Sequence, residues 1–127
     1  MACIASETYS CVTTPVQYAA VEAYRDQTNA EEYLYHCRRI LATIGNYCTT
    51  SLNNANVKIQ PPAGSFYMFP DFKPFKSLLN NRNIHDSETL CEKLLQDTGV
   101  ALLPGSVFGR SKNEFTARLA YVNFDGA

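Results

Sequence analysis

Residues 99–122 read GVALLPGSVFGRSKNEFTARLAYV and decide the fold of the chain. They contain two apolar segments of strand length, Val100–Leu103 and Phe115–Val122, separated by a loop with Pro-Gly and Phe-Gly turns. Because that connection is only about ten residues long, it favours antiparallel pairing of the two predicted strands.

The second of these strands carries a single arginine, Arg118. The two-residue period of a strand places one set of side chains on one face (Phe115, Ala117, Leu119, Tyr121) and the other set on the opposite face (Thr116, Arg118, Ala120, Val122). The small neighbours of Arg118 leave room beside its guanidinium, whose planar fork of donors suits a carboxylate or a phosphate. An ion pair with an acidic residue of the same fold is the alternative, because most arginines in strands serve the structure.

Two amphipathic segments in the first half of the chain predict helices. The first begins at Thr14, with Thr14 and Gln17 as a capping box, and runs to about Tyr24. The second has Asn29 as its cap and extends for about 20 residues along an apolar stripe of Leu34, Cys37, Leu41, Ile44 and Cys48. Gly45 within the second helix suggests a close approach of that helix to a sheet.

Shorter elements follow, after a polar turn at Ser51–Asn56. Val57–Gln60 alternates as a half-buried strand, and Ser65–Phe69 is an apolar run that predicts a strand covered on both faces. We expect one helical turn at Phe75–Leu79. A third helix then begins after Asp86 or Ser87 and ends at Gly99, a left-handed exit residue.

The order of these elements predicts an α+β fold. We expect a two-layer sandwich, in which a small and mainly antiparallel sheet is covered on one face by helices. The other face, which bears Arg118, is then either solvated or covered by something absent from this chain.

The composition fits one ordinary globular domain of 127 residues. A net charge of −1 offers no basic surface for nucleic acid, and no apolar stretch approaches the roughly 20 residues that span a bilayer. The N-terminus lacks the features of a secretory signal, so we expect a cytoplasmic protein without nucleic-acid or membrane partners. Five cysteines at irregular spacing and two histidines predict free thiols rather than a metal site.

No catalytic constellation is visible, but three motifs resemble class I/II aminotransferases, the fold-type I enzymes that depend on pyridoxal phosphate. Residues 62–71, PAGSFYMFPD, are similar to the family's P-x-G-(A/S)-F-Y-x-(F/L)-P strand. Residues 99–109 are similar to its G-V-x-x-x-P-G-x-x-F-G segment, and residues 117–121 to its x-R-(L/I)-(S/A)-(F/Y) strand. Residues 14–20 resemble the helix that follows the cofactor-binding part of those enzymes.

The resemblance implies a C-terminal small domain formed by residues 14–127, with residues 1–13 leading in from a large domain that is missing here. It implies that Arg118 binds the substrate α-carboxylate and that Phe66 lines the same cleft. Catalytic and cofactor-binding residues, including the lysine that bonds to pyridoxal phosphate, are then expected outside this chain. The full-length protein is expected to be a homodimer that acts on amino acids and 2-oxo acids, and the isolated domain to be inactive.

Two alternatives remain open at this point. A non-catalytic domain of the same fold would sense a ligand or bind a protein partner, as in transcription regulators that carry a DNA-binding head. Other fold-type I reactions, such as those of lyases, are also open because this domain does not decide the reaction type.

Overall fold

The structure of the chain, a computed structural model, describes residues 11–25 and 28–125. The chain divides into two compact units, Met1–Cys37 and Arg38–Ala127. None of the helices in the described residues combines the length and the hydrophobicity needed to cross a membrane. The proposed boundary between residues 1–13 and residues 14–127 stays a prediction, since most of the leading segment lies outside the described residues.

The first helix, α1, spans Thr14–Arg25, in agreement with the predicted bounds, and is exposed along its whole length in this chain. The predicted capping box of Thr14 and Gln17 is wrong. The carbonyl of Thr13 accepts the N–H groups of Val16 and Gln17, and the Gln17 side-chain amide donates to the Val12 carbonyl at 2.6 Å. The Gln17 amide therefore serves as a donor, whereas a capping box requires it to accept a backbone N–H.

The second helix, α2, spans Thr28–Asn54, which is longer than predicted at both ends. It begins one residue before Asn29, whose side chain lies outside the described residues. It also continues through most of Ser51–Asn56, the segment predicted as a polar turn. The helix ends where Asn56 adopts a left-handed φ of 63° and the N–H of buried Val57 bonds to the Leu52 carbonyl at 2.9 Å. This closure, rather than the polar composition, stops the helix.

The sheet lies in the second unit and has three short strands: β1 (Tyr67–Met68), β2 (Leu103–Pro104) and β3 (Ala117–Ala120). Their order is β1-β3-β2, and both pairs are antiparallel. Arg118 of β3 lies opposite Leu103, and Ala120 lies opposite Tyr67. The small antiparallel sheet predicted from the sequence is confirmed.

The strands are shorter than the apolar segments that predicted them. Val57–Gln60 contributes a single bridge, in which Lys58 and Asp71 exchange backbone hydrogen bonds of 3.0 and 2.8 Å. Only Leu103 of Val100–Leu103 belongs to a strand, and only two residues of Ser65–Phe69 do. For Val57–Gln60 and Ser65–Phe69 the physical reason is proline, which lacks a backbone donor and follows these segments at Pro61, Pro62 and Pro70.

The prediction that Ser65–Phe69 is covered on both faces is also wrong. Met68 is buried, with 4% of its surface exposed, whereas Tyr67 and Phe69 are 40% and 37% exposed. Alternate side chains of this segment are therefore exposed in the chain.

Two helices follow β1. Helix α3, Lys76–Asn81, continues from a 3-10 turn at Lys73–Phe75, which confirms the helical turn predicted there. Helix α4, Ser87–Thr98, is capped by Asp86 and ends at Gly99, whose φ of 75° is left-handed as predicted. Burial raises the pKa of the Cys91 thiol in α4 to about 11, so this thiol is neutral at physiological pH.

The inner face of β3 forms the core. Phe115, just before the strand, packs against buried Ile84 and Leu90, and Ala117 and Tyr121 are also buried. Helix α2 approaches at Gly45, where an added Cβ would lie 2.7 Å from Pro62 Cγ and 3.3 Å from the Tyr121 hydroxyl. The close approach that Gly45 suggested is therefore present. The two-layer α+β architecture predicted from the sequence is confirmed.

Candidate functional site

Arg118 projects from the outer face of the sheet, on the central strand β3, and is half-buried. Its guanidinium carbon Cζ lies 4.3 Å from the centre of the Tyr67 ring and 4.5 Å from the centre of the Phe108 ring. Both distances are within the roughly 6 Å over which a cation is attracted to an aromatic face. The room left by the small neighbours of Arg118 on its own strand is thus occupied by rings from other segments.

Strand register explains the position of Tyr67. Tyr67 pairs with Ala120, so Arg118 is its diagonal neighbour on the same face of the sheet. Diagonal neighbours in an antiparallel pair are within reach of long and aromatic side chains. Phe66 lies just before β1, so the alternation of the strand does not assign it to a face, and its ring contacts the Tyr67 ring rather than Arg118.

The 3-10 turn Gly105–Phe108 that follows β2 brings Phe108 to the same place. The N–H of Gly105 donates to the Thr116 carbonyl at 2.8 Å, and a Cβ at residue 105 would lie 2.1 Å from Thr116 Oγ1. Only glycine permits this approach. From the other side, Glu88 of α4 accepts a hydrogen bond from the Ser106 hydroxyl at 3.1 Å, which ties the turn to the helix layer.

The two rings beside Arg118 have ring neighbours of their own. The Phe66 and Tyr67 ring centres are 4.4 Å apart, and those of Phe69 and Phe108 are 5.9 Å apart with an edge-to-face angle of 84°. Together these side chains form a continuous set, which we call the aromatic row: Phe66, Tyr67, Arg118, Phe108 and Phe69. Each ring that touches the arginine therefore also contacts a second aromatic ring.

Arg118 makes no ion pair with any carboxylate of residues 11–25 and 28–125. Other arginines of the chain do, since Arg25, Arg82 and Arg110 pair with Glu22, Asp97 and Glu114 respectively. The internal ion pair considered from the sequence is thus not observed among the described residues. Aromatic stacking engages the faces of a guanidinium, and its five N–H donors point outward in its plane.

The structure brings Tyr67, rather than Phe66, against Arg118. Phe66 is half-buried, its ring contacts the Tyr67 ring, and its carbonyl accepts the N–H of Tyr121 at 3.1 Å. Sequence reasoning missed both Tyr67 and Phe108. Only the register of β1 against β3 shows that Tyr67 lies diagonally next to Arg118, and this register cannot be read from the sequence.

The described residues do not fit a pyridoxal phosphate site. A lysine that bonds to a carbonyl cofactor is activated by desolvation or by a second cation. All five lysines of the chain have exposed side chains: Lys58, Lys73, Lys76, Lys93 and Lys112. Nor do three or more histidine, cysteine, aspartate or glutamate side chains converge as a metal site within the described part of the chain.

Comparisons with known proteins agree with this fold. The family model for aminotransferase class I and II matches residues 1–122. The aspartate/prephenate aminotransferase of Cereibacter sphaeroides is 32% identical over 128 residues, which cover 98% of this chain and 30% of that protein. The aspartate aminotransferase of Thermotoga maritima is 31% identical over 105 residues, which cover 83% of this chain and 23% of that protein.

A solved structure gives the same result. The aromatic aminotransferase of Pyrococcus horikoshii superposes with a TM-score of 0.73 and 26% identity, over 93% of this chain and 29% of that one. The fold and the matched sequence define the class: the chain belongs to the class I and II aminotransferase family, whose members use pyridoxal phosphate. It spans 30% or less of the length of these relatives.

Proposed function

We propose that this chain is the small domain of a pyridoxal-phosphate-dependent amino-acid aminotransferase, and that Arg118 binds the α-carboxylate of the amino-acid or 2-oxo-acid substrate. The proposal rests on the surroundings of the Arg118 side chain. It is half-buried between two aromatic rings and has no acidic partner among the described residues. A cation placed in this way is a receptor for an anion supplied from outside the domain.

The chemistry of the guanidinium favours a carboxylate. Two parallel N–H groups can donate to the two carboxylate oxygens, which fixes the ligand in orientation as well as in position. The rings on both sides lower the local polarity and strengthen that interaction. Orientation of the substrate for the reacting groups is the contribution that a residue of this kind makes to catalysis.

The outer face of the sheet supports closure of a second domain over the same site. Several large apolar side chains next to Arg118 are more than a third exposed: Tyr67, Phe69, Leu103 and Phe108. An apolar face of this kind marks an interaction site. We propose that the large domain of the complete protein covers it, that residues 1–13 lead in from that domain, and that two complete chains form a homodimer.

The cofactor is assigned to residues outside this chain, in keeping with the exposed lysines described above. Phe66 as a lining residue of the substrate cleft stays a proposal. Its half-buried ring contacts the Tyr67 ring, so Phe66 contributes to the cleft indirectly, through Tyr67.

The second candidate is a ligand-sensing or interaction domain of the same fold. The same exposed apolar face favours it, because a protein partner would cover that face equally well. In that case Arg118 still binds a carboxylate, but the complete protein does not exchange amino groups.

The test compares substrates with and without the carboxylate. The complete protein is assayed with its best amino-acid substrate and with the amine that lacks only that carboxylate. Replacement Arg118→Leu should raise KM for the amino acid about 100-fold, because truncating one partner of a desolvated charge pair costs several kcal/mol. The KM for the amine should change little.

A matched control is Arg82→Leu, because Arg82 is an exposed arginine paired with Asp97 and is remote from the aromatic row in sequence. It should leave both KM values unchanged. Equal losses for amino acid and amine in Arg118→Leu would refute carboxylate binding. Absence of any amino-group exchange by the complete protein, with carboxylate binding intact, would instead favour the sensing domain.

A further inference from the structure

We propose that Tyr67 and Phe108 are positioning residues, which hold the Arg118 guanidinium in the orientation that receives a carboxylate before the ligand arrives. This inference rests on the proposed function of Arg118 and concerns two side chains that do not themselves bind the carboxylate. Its basis is the pair of contacts from Arg118 Cζ to the two ring centres, at 4.3 and 4.5 Å.

An arginine side chain that no other group holds can rotate about several bonds and adopts many conformations. Freezing those rotations when a ligand binds costs entropy, and a site that is ordered beforehand avoids that loss. An acidic partner would also order the side chain, but it would neutralise the cation and compete for its donors. Aromatic rings order the guanidinium by stacking and leave its N–H groups available to a ligand.

Three separate segments build this arrangement. Arg118 is on β3, Tyr67 on β1, and Phe108 in the 3-10 turn after β2. Each of these rings contacts a second ring, Tyr67 with Phe66 and Phe108 with Phe69. The contacts of Tyr67 and Phe108 with Arg118 therefore do not depend on a single segment of the chain.

The test uses the complete protein with the variants Tyr67→Leu and Phe108→Leu. Each should raise KM for the amino acid about fivefold and leave kcat and the KM of the matched amine unchanged. Tyr67→Phe, which keeps the ring and removes the hydroxyl, should retain the wild-type values. The control Tyr47→Leu removes an aromatic ring that is 73% exposed on α2 and should have no effect.

A second measurement follows Arg118 directly. Phenylglyoxal modifies accessible guanidinium groups, and digestion with mass spectrometry gives the rate for the peptide that contains Arg118. Removal of either ring should raise that rate several-fold, whereas Tyr67→Phe should not. Because both rings are about 40% exposed, we expect these variants to fold, and circular dichroism verifies it.

The outcomes separate the two proposals. If Arg118→Leu weakens amino-acid binding selectively but both leucine variants behave as wild type, positioning by the rings is overturned and the proposed function stands. If phenylglyoxal modifies Arg118 faster in the leucine variants but KM does not change, positioning by the rings is also overturned. The rings would then shield the arginine without orienting it. If Arg118→Leu has no selective effect, both proposals fail.

Discussion

The ring of Tyr67 lies 4.3 Å from the guanidinium carbon of Arg118 because β1 pairs with β3 in a register that sets Tyr67 opposite Ala120. A shift of one residue in this register would turn every side chain of β1 to the other face. Phe66 would then face Arg118, and Met68 would leave the core. The burial of Met68 thus fixes which aromatic ring meets the arginine, and core packing and site geometry depend on the same register.

Gly105 is expected to tolerate no side chain. In Gly105→Ala the new Cβ would lie 2.1 Å from Thr116 Oγ1 and 3.0 Å from the Thr116 carbonyl. Both groups are buried, so we expect a loss of about 3 kcal/mol in the free energy of unfolding, measured by denaturant titration. Gly64→Ala is the matched control, because nothing lies within 4 Å of its added Cβ, and it should change the free energy of unfolding little. Equal stability of the two variants would show that the turn before Phe108 is not held against β3.

Asp86 is expected to stabilise α4 in a pH-dependent manner. The backbone N–H of Thr89, followed by its hydroxyl, donates to the Asp86 carboxylate and holds its pKa below the ordinary value. Because the folded-state pKa is the lower one, the stabilisation is fully present above the unfolded-state pKa of about 4 and is lost as pH falls through the folded-state value.

We therefore expect Asp86→Ala to lower the free energy of unfolding by about 1 kcal/mol at pH 7. The difference from wild type should shrink below about pH 4, in a series of urea titrations from pH 7 to pH 3. Asp86→Asn keeps an acceptor without a titrating charge, so its stability difference from wild type should also narrow at low pH. A difference for Asp86→Ala that is constant over the whole range would contradict this role of the carboxylate.

The lysines of this chain are expected not to capture pyridoxal phosphate at a specific position. All five are exposed, and none has the desolvated setting that activates a lysine towards a carbonyl group. Incubation of the 127-residue chain with pyridoxal phosphate, borohydride reduction and peptide mapping should show slow, scattered labelling. Stoichiometric labelling of a single lysine would contradict the assignment of the cofactor site to residues outside this chain.

The sequence was most informative where structure is local. Asp86 and Gly99 delimit α4 as predicted, and the alternation over Phe115–Val122 correctly places Phe115, Ala117 and Tyr121 in the core. These features follow from capping chemistry and from the period of a strand, and both involve residues close together in the chain.

It was less informative where distant segments meet. The lengths of the strands depend on which backbone groups find a partner, and the prolines that follow Val57–Gln60 and Ser65–Phe69 set that limit for two of the segments. The end of α2 depends on the burial of Val57. The polar residues Ser51–Asn56 before it do not indicate that burial. The neighbours of Arg118 depend on strand register and on the approach of Gly105 to Thr116, so the small residues beside Arg118 in sequence indicated open space where two rings are found.

The central claim, that Arg118 is a carboxylate receptor, is tested most directly by equilibrium binding without turnover. The ligand is the 2-hydroxy acid that corresponds to the best amino-acid substrate, and calorimetry gives its Kd for the complete protein and for Arg118→Leu. We predict that Kd rises at least tenfold in the variant, while the matched alcohol without a carboxylate binds both proteins equally. An unchanged Kd for the hydroxy acid in Arg118→Leu would contradict the account.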